Sequence, residues 1–439
     1  MKKHIRKIHI IIIMYFVFLF CYKSDNFFVN KDIAIPTIAS VDFDKTEVTK
    51  VVENIYKDRC SMFITKDITN LPNYYDTSQK LGKWSLEHEV KRLTYFNDWS
   101  SQRDMCFLKV ESIPKIRKIT STKKGLRLLV DEYYKFEYNY KNEKTPTTNV
   151  FGVGLTHSMD LIKDGEKWII YSDWYLDCFE DALKSYSGEI QNLKVNVAKE
   201  PIYKLENCPK IPSELKLVAK GQYDKINAVK YADKYCGIPW ASGNPTKYNK
   251  RYKNYTGIGG NCTNYVSQSM GDKEGGGLRF DDAWYCTYKK YDGAEGSSAW
   301  VNADAFKKYL TYSGRGKIVG KGTFKELNTC IPGYPCGAIQ KIDLGDLICY
   351  AKGSDIDHFA IVTGFDSHGY PLVNTHTIDR YRVPWDLGWG DKNIKFYLTR
   401  LSRKYIAKLA IYLLFKKIRS LQSSSCHFMY AFGNIFYIK

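Results

Sequence analysis

Twelve cysteines are spread along this 439-residue chain without a single CxxC pair and without any Cys/His spacing that suits a metal. Zinc sites built on clustered thiolates are thereby disfavoured, and neither a metal nor a cofactor is expected. Acidic residues are missing from both ends. Residues 1–23 hold five Lys or Arg and no Asp or Glu, and residues 401–439 hold seven and none. Much of the formal net charge of +19 is therefore terminal. The body is only mildly basic and no nucleic-acid fold accompanies it, so nucleic acid is not an expected partner. No internal repeat runs through the chain.

What is present reads as globular: 44% of residues are hydrophobic, 26% are charged and 35 are tyrosines, which implies cores rich in amphipathic aromatics. At ~150 residues per domain the length suggests two units. The opening MKKHIRKIHIIIIMYFVFLFCYK couples a basic start to an apolar run from Ile10 to Tyr22. Residues 1–23 are thus expected to be a signal peptide or signal anchor, giving a secreted or cell-surface protein that the segment can hold at the membrane. No small-x-small pattern follows the run, so cleavage stays open. Export permits disulfides, and Cys330 and Cys336, flanking the IPGYP loop, are the expected pair.

After a linker at residues 24–40, Val48, Val51, Val52, Ile55 and Tyr56 recur at helical spacing, as do Leu86, Val90 and Leu93. The pattern then turns to strands. Leu128, Val130, Tyr134, Phe136 and Tyr138 share one face, and a hairpin turns at KDGEK around Gly165. Residues 41–185 read as an α+β unit whose element order resembles the cystatin-like or SnoaL-like cones, with His157 as a structural histidine. Residues 186–220 read as a linker, 221–401 as a second domain opening on a helix capped by Asp224, and 402–439 as a basic C-terminal extension.

The chemistry concentrates in the second domain. In GIGGNCTNYVSQSM, glycines precede Cys262, which falls at a helix start where unpaired N–H groups favour a thiolate. About ninety residues on, DHFAIVTGFDSHGYPLVNTHTIDR reads as strands around an SHG turn. His358 shares a face with Ala360 and Val362, while Asn374 and His376 share a face of the next strand. A nucleophilic cysteine, a histidine base and a third polar residue on neighbouring elements form the cysteine-hydrolase arrangement, and alternation does not choose between Asn374 and His376.

The block from Tyr223 to about Leu401 resembles the putative amidase domain of exported bacterial proteins, related to the CHAP and NlpC groups of papain-like cell-wall hydrolases. The likeness rests on YDKINAVKYADKY, GGNCTNYVSQ, GDLICY, DHFAIVTG and HTIDR in that order. It implies a papain-like fold, Cys262 as nucleophile, His358 as base, His376 as third member, and peptide or amide bonds of peptidoglycan as substrate. Asn261 departs from the motif, which usually has Asp there. Two other readings remain: a silent module that holds wall peptide without cutting it, and a transglutaminase-like enzyme that passes the acyl group to an amine.

Overall fold

The computed structural model describes residues 42–188 apart from 142 and 178, residue 208, and residues 222–289, 293–389 and 394–401. The signal segment, the first linker, nearly all of the second and the C-terminal extension lie outside these.

Asp44 opens helix α1 (Lys45–Thr65), its carboxylate accepting the Thr46 N–H. Val48, Val52, Ile55, Tyr56 and Phe63 form the buried face. Helix α2 (Lys80–Gln102) buries Leu86, Val90, Leu93 and Phe96 in the same way. Both lie on an antiparallel meander of β1 (Met105–Ser121), β2 (Leu126–Tyr140), β3 (Asn149–Asp164) and β4 (Lys167–Tyr175). The seam between helices and sheet is aromatic: Phe136 stacks on Phe151 at 4.6 Å and on Phe96 at 5.2 Å, with Phe63 edge-on at 5.4 Å. Inside it, His157 is clamped between Asp173 at 2.9 Å and Glu132 at 3.0 Å, and Arg59 reaches Asp173 at 3.0 Å. His157 and the two carboxylates that hold it are all buried and paired, which supports a structural role for His157.

The second half begins with α3 (Lys225–Lys234), capped by Asp224, which accepts from the amides of Ile226 and Asn227. Helix α4 (Cys262–Gly271), the hairpin β5 (Cys286–Lys289) and β6 (Gly293–Gly296), and α5 (Ala303–Tyr312) follow. Five strands after them join the main sheet together with β7 (Gly316–Gly322): β8 (Leu347–Lys352), β9 (Asp355–Phe365), β10 (Pro371–Thr375), β11 (Asp379–Pro384) and β12 (Ile394–Leu401). Val266 and Met270 of α4 pack with Trp284, Trp300, Phe306, Phe359 and Ile361. Trp284 and Trp300 are therefore core residues, whereas Tyr285 is exposed.

One ten-stranded sheet runs β1-β2-β3-β11-β10-β9-β8-β12-β7, with β4 also on β3 and every named pair antiparallel. The protein is α+β. β4 covers β3 only from His157 to Asp164, which leaves the edge at Gly152–Gly154 for β11. That edge would otherwise carry unpaired backbone groups. Segments 41–185 and 221–401 thus share a sheet. Glycine is needed at the join, since a Cβ on Gly152 would come within 2.6 Å of the Trp240 ring.

The expected Cys330–Cys336 disulfide is corrected: Cys336 is bonded to Cys208, and Cys330 is free and exposed. Backbone bonds between Ile331 and Tyr334 and from Gly337 to Tyr334 close the loop on itself, while the Cys208 amide is anchored on the His368 carbonyl. Among the described residues no helix is long and apolar enough to cross a membrane.

Candidate active site

Gly259 and Gly260 bring the chain into α4 with φ of 119° and 108°, backbone that side-chain-bearing residues rarely adopt. Asn261 follows at the N-cap position. Its N–H donates to Thr377 Oγ1 at 2.8 Å, its Oδ1 accepts from the Tyr255 amide and from Asn264 Nδ2, and its Nδ2 donates to His376 Nδ1 at 3.1 Å. Cys262 is the first residue of the helix, as the glycine-rich spacing predicts. Its sulfur lies against the Phe359 backbone amide of β9 and 3.8 Å from Thr263 Oγ1.

The thiol is only 7% exposed. Burial raises its pKa against the pull of the Phe359 amide and Thr263. Desolvation thus opposes the helix-end field that favours a thiolate.

His358 lies next to Phe359 on β9, but its ring leaves the strand on the other face. Phe359 and Ile361 point to α4, whereas the imidazole meets Tyr350 at 5.8 Å and Trp389 at 5.5 Å. Burial, then the cations of Arg380 and Lys352, hold its pKa well below the usual range, which favours the neutral ring and weakens it as a base. No hydrogen bond joins it to Cys262 among the described residues.

Its Nε2 stands 2.8 Å from Thr375 Oγ1. The Thr375 hydroxyl has one proton, and Phe359 O lies 2.8 Å away to take it. The network therefore assigns Nε2–H to His358, donating to Thr375, with Nδ1 as the basic atom.

His376 does not orient His358. Its Nε2 donates to the Tyr235 carbonyl at 2.6 Å, its Nδ1 accepts from Asn261, and its ring stacks on Tyr265 at 3.8 Å. Burial drives its pKa down to about 3 despite the Tyr235 carbonyl. Asn374 is spent as well, donating to Asp233 and accepting from Thr363 and the Arg382 amide. Both side chains lie on the face of α3 and α4, opposite the His358 ring. Thr375 is the residue that the sequence reading missed. The signal was available, because alternation that puts residues 374 and 376 on one face puts residue 375 on the other.

Asn261 suits a neutral His376. Tyr235 O requires a proton on Nε2, so Nδ1 must accept, and Asn261 supplies the amide donor that an Asp could not. Among the described residues no group of three His, Cys, Asp or Glu is placed to hold a metal.

Residues 222–399 match the putative amidase domain family. The matched stretch runs from the start of α3 into β12 and contains Cys262, His358, Thr375 and His376. The family description points to hydrolysis of amide bonds. Two relatives from Bacillus subtilis (strain 168) carry the names uncharacterized protein YhbB and uncharacterized protein YjcM. The first is 28% identical over 169 residues, 37% of this chain and 44% of its own length. The second is 29% identical over 238 residues, 52% of this chain and 49% of its own. The chain thus spans less than half the length of either relative. Among solved structures, the intermembrane space region of the chloroplast protein ARC6 aligns at 12% identity over 31% of this chain and 98% of its own, with a TM-score of 0.23, too low to carry an argument.

Proposed function

We propose that the chain is an exported, thiol-dependent hydrolase of amide bonds, papain-like in its second half, with peptide or amide links of cell-wall peptidoglycan as substrate. The observation that carries this reading is the seat of Cys262: the first turn of a buried helix, pressed on β9 beside the residue that bears a neutral imidazole. The sulfur attacks the substrate carbonyl and its proton passes to His358 Nδ1 once the imidazole has turned to the thiol's side of β9. His358 returns that proton to the leaving amine as the C–N bond breaks, and water then hydrolyses the thioester to release the acid and the free thiol. The Phe359 amide and the first amides of α4 are donors for the oxyanion. The mildly basic body and the N-terminal segment support a site at the anionic cell surface.

A second reading, a module that holds wall peptide without cutting it, is favoured by the absence of a hydrogen bond between Cys262 and His358. One experiment separates the readings: incubation of the full chain with purified wall fragments, with and without an added amine, followed by mass spectrometry of the products. Hydrolysis gains one water per cut and disappears in Cys262→Ala. Acyl transfer instead gives an adduct of the added amine. Fragments retained by the protein but left intact in both samples would replace the enzyme reading with the binding one.

A further inference from the structure

Between residues 112 and 130 the sequence carries six Lys or Arg and no Asp or Glu. The fold gathers them at one end of the sheet, where β1 turns into β2. The Thr122 amide donates to the Gly125 carbonyl to close that turn, and Gly125 is pressed on β3 so tightly that a Cβ has no room beside the Leu161 carbonyl. Lys115 and Lys118 stand opposite Asp131 and Leu129 of β2, on the face turned away from α1 and α2, since Leu128 and Val130 take the helix side. All six cations are exposed.

The two arginines are spent within the fold. Arg127 binds Asp160 through Nε at 2.7 Å and Nη2 at 2.8 Å, and Arg117 meets Asp131 at 3.4 Å, a carboxylate that Lys247 also holds at 2.9 Å. Lys115, Lys118, Lys123 and Lys124 form no ion pair among the described residues, and Lys124 only covers the Tyr171 ring at 5.5 Å. Lysine on an edge strand such as β1 deters pairing with other strands. That does not account for Lys123 and Lys124, which lie beyond the last rung, Ser121 with Leu126, and have no edge to guard.

The point where the chain enters the fold narrows the partner. Helix α1 starts at this same end: Glu47 in its first turn accepts from Trp168 Nε1 at 3.0 Å, next to the β3–β4 turn that neighbours the β1–β2 turn. The acids of the β3–β4 turn, Asp164 and Glu166, are balanced by Lys163 and Lys167. The apolar run Ile10–Tyr22 joins the fold at Asp42 through a tether that reaches at most about 70 Å when fully extended.

We propose that the β1–β2 turn docks on an anionic lipid surface, with its unpaired lysines against the phosphate headgroups. The choice of lipid rests on the reading of residues 1–23 as a membrane segment, and the docking face is independent of the Cys262 chemistry.

The test is sedimentation of the full chain with vesicles of phosphatidylcholine alone and of phosphatidylcholine mixed with phosphatidylglycerol. Neutral vesicles report the apolar segment, and the gain on adding anionic lipid reports the turn. Each lysine near an anionic surface is worth roughly fivefold in affinity, so the gain is on the order of a hundredfold, and ~0.5 M salt erases it. A variant carrying Lys118→Gln, Lys123→Gln and Lys124→Gln loses most of the gain while melting at the wild-type temperature. Lys273→Gln, Lys308→Gln and Lys325→Gln together remove the same charge from exposed positions of the second half and leave the gain in place. The proposal is overturned if anionic lipid adds nothing, if the turn variant keeps the gain, or if both triple variants lose it equally. Displacement from the mixed vesicles by soluble polyphosphate at equal phosphate concentration would replace the lipid with an anionic polymer as partner. A gain that stands without any binding to neutral vesicles upholds the docking face and removes the membrane reading of residues 1–23.

Discussion

Thr375 Oγ1 stands between two groups of β9, 2.8 Å from the Phe359 carbonyl and 2.8 Å from His358 Nε2. One hydroxyl thereby fixes the imidazole through a proton that it spends on the backbone. Thr375→Val keeps the shape and removes both bonds. Turnover should fall roughly 10- to 100-fold with little change in KM, since orientation of the base is lost and not substrate binding. Thr375→Ser should restore most of it. If the valine variant turns over at the wild-type rate while His376→Asn is crippled, the assignment returns to His376.

Burial, which covers Cys262 and raises its pKa, should make it slow toward small alkylating agents in the resting protein. Iodoacetamide at pH 7, followed by peptide mapping, should label exposed Cys330 well before Cys262. The Cys262 rate should still be climbing above pH 9, because burial raises its pKa from the ordinary thiol value. Preferential labelling of Cys262 at pH 6 would show a thiolate that this geometry does not provide.

Much of the local structure is legible in the sequence because it is set by neighbours. The spacing of Val48, Val52, Ile55 and Tyr56 finds α1, Gly165 marks the turn between β3 and β4, and Asp224 marks the start of α3. The glycines before Cys262 place it at the head of α4. What stays hidden depends on partners far along the chain. No local pattern tells the edge at Gly152–Gly154 that its neighbour is Asp379–Tyr381, or tells Cys336 that its partner is Cys208. The same holds for the site. Sequence names His376 as a polar group near the thiol, but only the pairing of β9 with β10 decides which face it serves.

His157 should make stability depend on pH in alkaline solution. Burial would lower its pKa, but Asp173 and Glu132 outweigh this and raise it to about 9. A histidine raised above its unfolded value of about 6.5 stabilises fully below that pH, and the contribution is lost as pH rises through 9. The shift corresponds to about 3 kcal/mol. Thermal melts of wild type and His157→Gln should differ most near pH 6 and converge by pH 10. A constant difference across that range would mean that the imidazole is neutral throughout.

Asp379 presents the opposite sign. It lies where β11 meets β3, its carboxylate taking the Tyr248 hydroxyl at 2.8 and 2.9 Å, and it approaches Gly237 so closely that an added Cβ there would lie 2.2 Å from the carboxyl group. Burial raises its pKa to about 7, although Tyr248 and Lys247 pull it down, and the nearby Asp131 carboxylate pushes it further up. The native state therefore holds this proton more tightly than the unfolded chain. Stability is lost as pH rises from about 4 through 7, and the cost levels off above, at up to about 4 kcal/mol. Asp379→Asn keeps the shape and an acceptor for Tyr248 while removing the ionisation. Below pH 4 the variant and the wild type should melt within a few degrees of each other. Above pH 8 the variant should be the more stable, with the crossover in the difference between their melting curves centred between those limits. Should Asp379→Asn instead lose stability progressively above pH 7, the carboxylate must be ionised and held by Lys247 and Tyr248, and the join between β3 and β11 would rest on a charge rather than on a shared proton.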